Sequence, residues 1–290
     1  RQESPMRWRD LRRSQNVRDL RGRSGGTGLK FGLGGLVVLA AAYFLGIDPR
    51  LVEGLLDTGG GAATSMPAST LPPSDDAGAF TAAVLGSTED VWSALFAREG
   101  SSYQPPILVL FDNPQRTGCG TATSALGPFY CPADQGVYID LNFFHQLAGQ
   151  FGGPQDAARD DSFAKAYVIA HEVGHHVQTV TGISGQVRGA QGRAGEAEGN
   201  ALQVRMELQA DCLAGVWAHH ARERLTVQDV RDAMVAAAAV GDDMIQKKTQ
   251  GYVVPESFTH GSAAQRQRWF MRGFDSGEMN ACDTFGADPP

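Results

Sequence analysis

His171, Glu172 and His175 stand in the order His-Glu-x-x-His, and that order is demanding. Residues four apart share one face of an α-helix, so both imidazoles reach one metal ion if this stretch is helical. Glu172 then projects to one side of the pair. It can reach a water on the metal but is not placed as a third ligand. The flanks agree with a helix over 162–181. Phe163, Tyr167, Ala170, Val173 and Val177 recur at helical spacing, Asp160, Asp161 and Ser162 offer a cap and first-turn acids, and Gly182 ends the run. His176 falls off the ligand face and reads as structural.

Two histidines leave a zinc site in need of a third protein ligand. Residues 200–225 read as a long helix containing Glu207-Leu208-Gln209-Ala210-Asp211, with both carboxylates on one face. Glu207 would complete a two-histidine, one-glutamate set and leave one position for water. Asp211 would accept the second ring N–H of a ligand histidine and fix its tautomer. Alone, such a pair also describes a solvated helix face; it is the preceding His-Glu-x-x-His that favours a metal site. Residues 182–199 read as a mobile connection or frayed helix, and 226–248 as a further helix opened by Thr226 and Asp229. His260 lies in a loop before a last helix that carries Trp269 and Phe270. It is a candidate to contact a substrate carbonyl or oxyanion, with Arg266 supporting it; the plainer alternative is a capping histidine and a surface arginine.

The first part of the chain has a different character. Residues 1–30 carry nine Lys or Arg against Glu3, Asp10 and Asp19, a net of +6, so the remaining residues of a chain with net charge −7 hold −13. That overall balance excludes a general nucleic-acid binder. The first thirty residues lack apolar periodicity and read as a disordered basic tail. Residues 31–47 contain no charge and sit at the short end of the range for a transmembrane helix. The arginine-rich side would stay cytoplasmic, which places the rest outside the cytoplasm. Residues 48–77 are rich in Gly, Ser, Thr and Pro and read as a linker, so the folded domain spans 78–290.

Within the domain, 79–99 has helical apolar spacing, with a helix start at Thr88, and 107–111 is a short apolar strand. Phe129-Tyr130-Cys131 and Val137-Tyr138-Ile139-Asp140-Leu141 flank a loop suited to a hairpin. A strand of this region beside the metal helix is placed to pair with extended substrate, though the pattern does not say which. Cys119, Cys131, Cys212 and Cys282 allow three pairings. Cys119 with Cys131 would close a local loop, and Cys212 with Cys282 would tie the tail to the second metal helix. Disulfides fit an extracytoplasmic domain.

The chain resembles a bacterial family of neutral zinc metallopeptidases. The resemblance is carried by Met6-Arg7-Trp8-Arg9, one apolar span, Gly127-Pro128-Phe129-Tyr130-Cys131-Pro132, Val137-Tyr138-Ile139-Asp140, the stretch from His171 to Gln178, the stretch from Glu207 to Cys212, Ser257 to Gly261, and Gln265 to Phe270. The pairing of the two helical motifs is also similar to the wider thermolysin-like clan, in which the later Glu is a ligand and the Asp lies behind it. The resemblance implies an α+β, α-rich zincin-like domain with a small β-sheet, preceded by one transmembrane helix. It implies Zn²⁺ held by His171, His175 and Glu207, Glu172 as general base, and a peptide or protein as substrate. The rival expectation is a membrane-anchored binding or scaffold protein whose metal is only structural. A third is a soluble cytoplasmic enzyme, disfavoured by residues 31–47.

Overall fold

The computed structural model describes residues 6–22, 73, 75–143 and 162–290. In chain order its elements are β1 (Val17–Asp19), α1 (Asp76–Arg98), β2 (Ile107–Leu110), β3 (Gln115–Thr117), β4 (Gly120–Ala122), β5 (Phe129–Cys131) and β6 (Gly136–Ile139). Then follow α2 (Ser162–Val180), α3 (Ile183–Gln191), α4 (Glu196–His220), α5 (Val227–Ala239), α6 (Asp242–Gln250) and α7 (Ala263–Ser276), with short 3-10 turns between some of them. The class is α-rich with small sheets, as the helical periodicities predict.

A four-stranded sheet runs in the order β1-β2-β6-β5. The pairs β1–β2 and β2–β6 are parallel, and β5–β6 is the antiparallel hairpin read from the sequence. Strand β2 is apolar throughout because it lies in the middle with helices packed on it, the pattern of a buried parallel strand. Strands β3 and β4 form a separate hairpin, joined to β5 by the Cys119–Cys131 disulfide. A second disulfide, Cys212–Cys282, fastens the C-terminal turn to α4.

Trp92, Trp217, Tyr167, Phe163 and Phe270 are among the largest wholly buried side chains of the described residues, and they lie where α1, α2, α4 and α7 meet. Phe163 stacks on Trp217 with centroids 5.9 Å apart, and the Trp217 indole N–H donates to Ser87 Oγ at 3.1 Å. The approach of α7 to α4 is closer than side chains would allow. A Cβ on Gly273 would lie 1.9 Å from the Cys212 carbonyl oxygen, and one on Gly215 would lie 2.0 Å from that of Phe270. Both obstructions are backbone, so neither can swing aside.

Several expectations change. Helix α1 begins at Asp76, capped by Asp75, and runs unbroken through Thr88, so the domain boundary at 78 falls inside it. The segment 182–199 is mostly helical rather than a loose connection. The helix expected over 226–248 is divided at Val240 and Gly241 into α5 and α6, although the Thr226–Asp229 capping box is present. The largest correction concerns the basic tail. Residues 6–22 are folded onto the domain: Met6, Trp8 and Val17 are buried, and Trp8 meets Phe80 edge-on at 5.5 Å. Their apolar residues are too irregularly spaced to announce a helix or a long strand, and the segment is held by distant partners instead. The expected transmembrane stretch 31–47, the linker through residue 72 and the caps Asp160 and Asp161 lie outside the described residues. Among the described residues no helix is long and apolar enough to cross a membrane.

The contact between α4 and α7 makes a direct test. Gly273→Ala should lower the stability of the folded chain by about 1–3 kcal/mol, the usual cost of overpacking a tight core. A denaturant midpoint equal to that of the parent would show that the helices are not held this closely.

Candidate metal centre

Helix α2 carries His171 and His175 on the face it turns toward α4, and α4 presents Glu207 to them. Gly174 permits the meeting: a Cβ there would stand 2.9 Å from the Ala210 carbonyl oxygen. One ligand atom from each of His171, His175 and Glu207 lies within 4.8 Å of the others. His171 Nε2 is 3.2 Å from Glu207 Oε2, and His175 Nε2 is 3.5 Å from Glu207 Oε1.

The outward nitrogens have acceptors of their own. His171 Nδ1 donates to Asp211 Oδ1 at 2.9 Å, and His175 Nδ1 donates to Gln178 Oε1 at 2.8 Å. These bonds put the proton of each neutral ring on Nδ1 and leave both Nε2 lone pairs pointing at Glu207. Two lone pairs and a carboxylate at this spacing repel one another unless a positive charge lies among them. The donor set of two imidazoles and one carboxylate suits zinc and leaves a fourth position for water or substrate. The residues therefore fit the ion. Without a metal, a second proton on His171 supplies that charge: burial disfavours it, yet Asp211 and Glu207 outweigh burial and push the pKa up to about 10, and a bound ion would take that proton's place. For Glu207, burial works against ionisation, and His175 and His171 override it to hold the carboxyl well below its usual range.

Behind His171 lies a wholly buried set of charges. Arg266 Nε donates to Asp211 Oδ2 at 2.7 Å and Nη2 to Oδ1 at 2.9 Å, a bidentate pair. The Tyr167 hydroxyl donates to Asp211 Oδ1 at 2.5 Å and accepts from Arg266 Nη2 at 3.3 Å. Burial alone would raise the Asp211 pKa, but Arg266 and His171 lower it, so the carboxylate stays ionised. Arg266 thus supports Asp211, not His260 as the sequence led us to expect. The capping box of Ser262 and Gln265 starts α7 immediately before it and turns Arg266 toward α4.

His260 is placed by a different residue. Asp242 Oδ2 accepts from the backbone N–H groups of Thr259, His260 and Gly261 at 2.7, 2.6 and 3.0 Å, and Oδ1 lies 3.1 Å from His260 Nδ1. His260 also lies close enough to Glu207 to favour its charge. Glu172 is buried beside both ligand histidines. Burial raises its pKa above the ordinary glutamate value, with His171 and His175 opposing the rise. His176 is held away from this group: Nε2 donates to the Gln104 carbonyl at 2.6 Å, and Nδ1 accepts from the Tyr130 hydroxyl at 3.1 Å. Burial lowers its pKa and keeps it neutral. Tyr130 belongs to β5, so β5 is the sheet edge that lies beside the metal helix.

Three residues that hold the centre were not read as site residues. Tyr167 precedes His171 by four and Gln178 follows His175 by three, so helical spacing could have found both. Gln178 also donates to the Met206 carbonyl at 2.7 Å and to Gln209 Oε1 at 3.1 Å, which locks its amide oxygen toward His175. Asp242 had no local signal, because its partners arrive from a loop beyond α6.

These outer contacts predict metal affinity. Gln178→Leu and Asp211→Asn should each weaken zinc binding by about 10–100-fold, the range for residues that orient metal-bound histidines. Competition with a chromophoric chelator reads this directly, and wild-type affinity in both variants would contradict the assigned roles.

Comparison with known proteins agrees with the geometry. A family model described as "putative neutral zinc metallopeptidase" matches residues 6–285. The protein YpfJ of Escherichia coli K12, which carries the description "uncharacterized", is 47% identical over 97% of this chain and 99% of its own length. Rv2575 of Mycobacterium tuberculosis H37Rv, described in the same way, is 44% identical over 85% of each chain. No solved structure gives a significant match. From residue 6 to residue 285, this chain belongs to the neutral zinc metallopeptidase family that this model describes.

Proposed function

We propose that the chain is a zinc-dependent endopeptidase. The observation that carries this reading is the pair of inward Nε2 atoms facing Glu207, with the buried carboxyl of Glu172 beside them. Zinc held by His171, His175 and Glu207 would polarise a water and lower its pKa toward ~7. Glu172 accepts a proton from that water and returns it to the leaving amine. Burial raises its pKa above the ordinary glutamate value, which makes it a stronger base toward that proton than an exposed glutamate. His260, oriented by Asp242, donates a hydrogen bond to the carbonyl oxygen as negative charge develops there. The edge position of β5 beside α2 favours an extended peptide that pairs with the strand. A non-catalytic metal site has no use for Glu172 in this position.

The same reading places the domain outside the cytoplasm and attaches it to a membrane. Its two disulfides support an oxidising compartment, and the uncharged run 31–47 supports attachment.

Glu172→Gln should retain zinc and lower peptide hydrolysis by about 10²–10⁴-fold, the range for loss of a general base. Full activity in the zinc-loaded variant would sink the proposal. His260→Ala and Asp242→Ala should each lower kcat by on the order of 10²-fold, with little change in KM. The double variant should fall no further, because Asp242 acts through His260. Additive losses would separate the two.

A further inference from the structure

Residues 6–22 contain six arginines: Arg7, Arg9, Arg12, Arg13, Arg18 and Arg21. As a charge pattern before an apolar run, they mark a segment retained in the cytoplasm. In the fold, four of the six are engaged by the domain. Arg7 donates to the Glu223 carbonyl at 2.7 Å, and Arg9 pairs with Asp76 at 3.1 Å. Arg12 pairs with Glu89 at 2.7 Å and Asp90 at 2.8 Å, and Arg21 pairs with Asp75 at 2.6 Å. Their partners belong to the part of the chain that holds the excess of acid.

Backbone and buried polar contacts bind the same segment. Strand β1 pairs with β2 in parallel register, Val17 opposite Leu108 and Asp19 opposite Leu110. The Ser14 amide donates to the Ala82 carbonyl at 2.8 Å. Glu89, buried in α1, accepts from Ser14 Oγ at 2.5 Å and from Asn16 Nδ2 at 2.7 Å. Helix α1 is also shaped for this neighbour. A Cβ on Gly86 would lie 2.2 Å from the Arg12 carbonyl oxygen, and its nearest atoms all come from Arg12 and Ser14.

We propose that residues 6–22 and the metal-site domain lie on the same side of any membrane the protein meets. A single crossing between Gly22 and Pro73 would put hydrogen-bonded partners on opposite faces of ~30 Å of hydrocarbon. Arg21 and Asp75, which bracket residues 23–72, are ion-paired across that interval. The arrangement expected from charge alone, with a cytoplasmic basic end and one crossing, is incompatible with β1 in the sheet. The arginines then complement domain carboxylates and do not serve as a topogenic signal.

The test uses the full chain in intact bacterial cells. Gln15→Cys and Arg231→Cys place thiols at exposed positions, one in the N-terminal segment and one on α5, and the four native cysteines are all in disulfides. A membrane-impermeant maleimide is applied before and after permeabilisation. Both positions should react in intact cells, or both only after permeabilisation. Labelling of one in intact cells and of the other only after permeabilisation would overturn the proposal. A second measurement asks whether the segment is docked. Ser14→Cys is buried and should label slowly, and adding Gly86→Val should raise its rate by on the order of tenfold or more by freeing the segment. Equal and rapid labelling with and without Gly86→Val would show that the segment is not held on α1. Neither readout involves catalysis, so both stand apart from the hydrolytic reading.

Discussion

Arg266 and Asp211 meet in the interior with 3% and 0% exposure, and the metal group leans on that pair. A buried ion pair is weak evidence for stability, because desolvation takes back much of the Coulombic gain. Its value here is orientation. Both oxygens of Asp211 are committed to the guanidinium, and one of them also takes the Tyr167 hydroxyl and the His171 Nδ1–H. With its carboxylate fixed in this way, the His171 ring has one rotamer and one tautomer that satisfy the site, and Nε2 faces Glu207.

That arrangement presupposes helices closer than ordinary packing allows. Gly174 brings α2 onto α4 at Ala210, and Gly215 and Gly273 bring α7 onto α4 close to Arg266. Small residues at the crossings let the functional side chains span short gaps. The His260 loop is held by another device: a single carboxylate, Asp242, gathers three successive backbone N–H groups at the start of α6. The candidate ligands, the proposed general base and the proposed oxyanion donor are thus each set on or beside rigid helices.

The sheet has two distinct edges. Strand β5 lies beside the metal helix and is joined by disulfide to the β4 side of the small hairpin, whereas β1 closes the far edge with residues that precede α1 by a long stretch of chain. The basic and acidic parts of the sequence read as belonging to two environments. In the fold, Arg9, Arg12 and Arg21 neutralise Asp76, Glu89, Asp90 and Asp75 within one body.

The residue order fixed whatever depends on near neighbours in the chain. Helical spacing placed His171 and His175 on one face, Glu207 and Asp211 on another, and the Thr226–Asp229 cap at the head of α5, because each of these relations closes within one or two turns. Helical spacing also held signals that passed unread, Tyr167 and Gln178, since polar residues on a helix face have many uses. Other features were decided by packing. Arg266 serves Asp211 rather than His260, Asp242 takes the supporting role, and residues 6–22 pack on the domain, with Val17–Asp19 in the sheet, instead of forming a free tail. Each of these depends on partners brought together from distant parts of the chain, and local pattern carries no information about which distant carboxylate, carbonyl or strand edge will arrive.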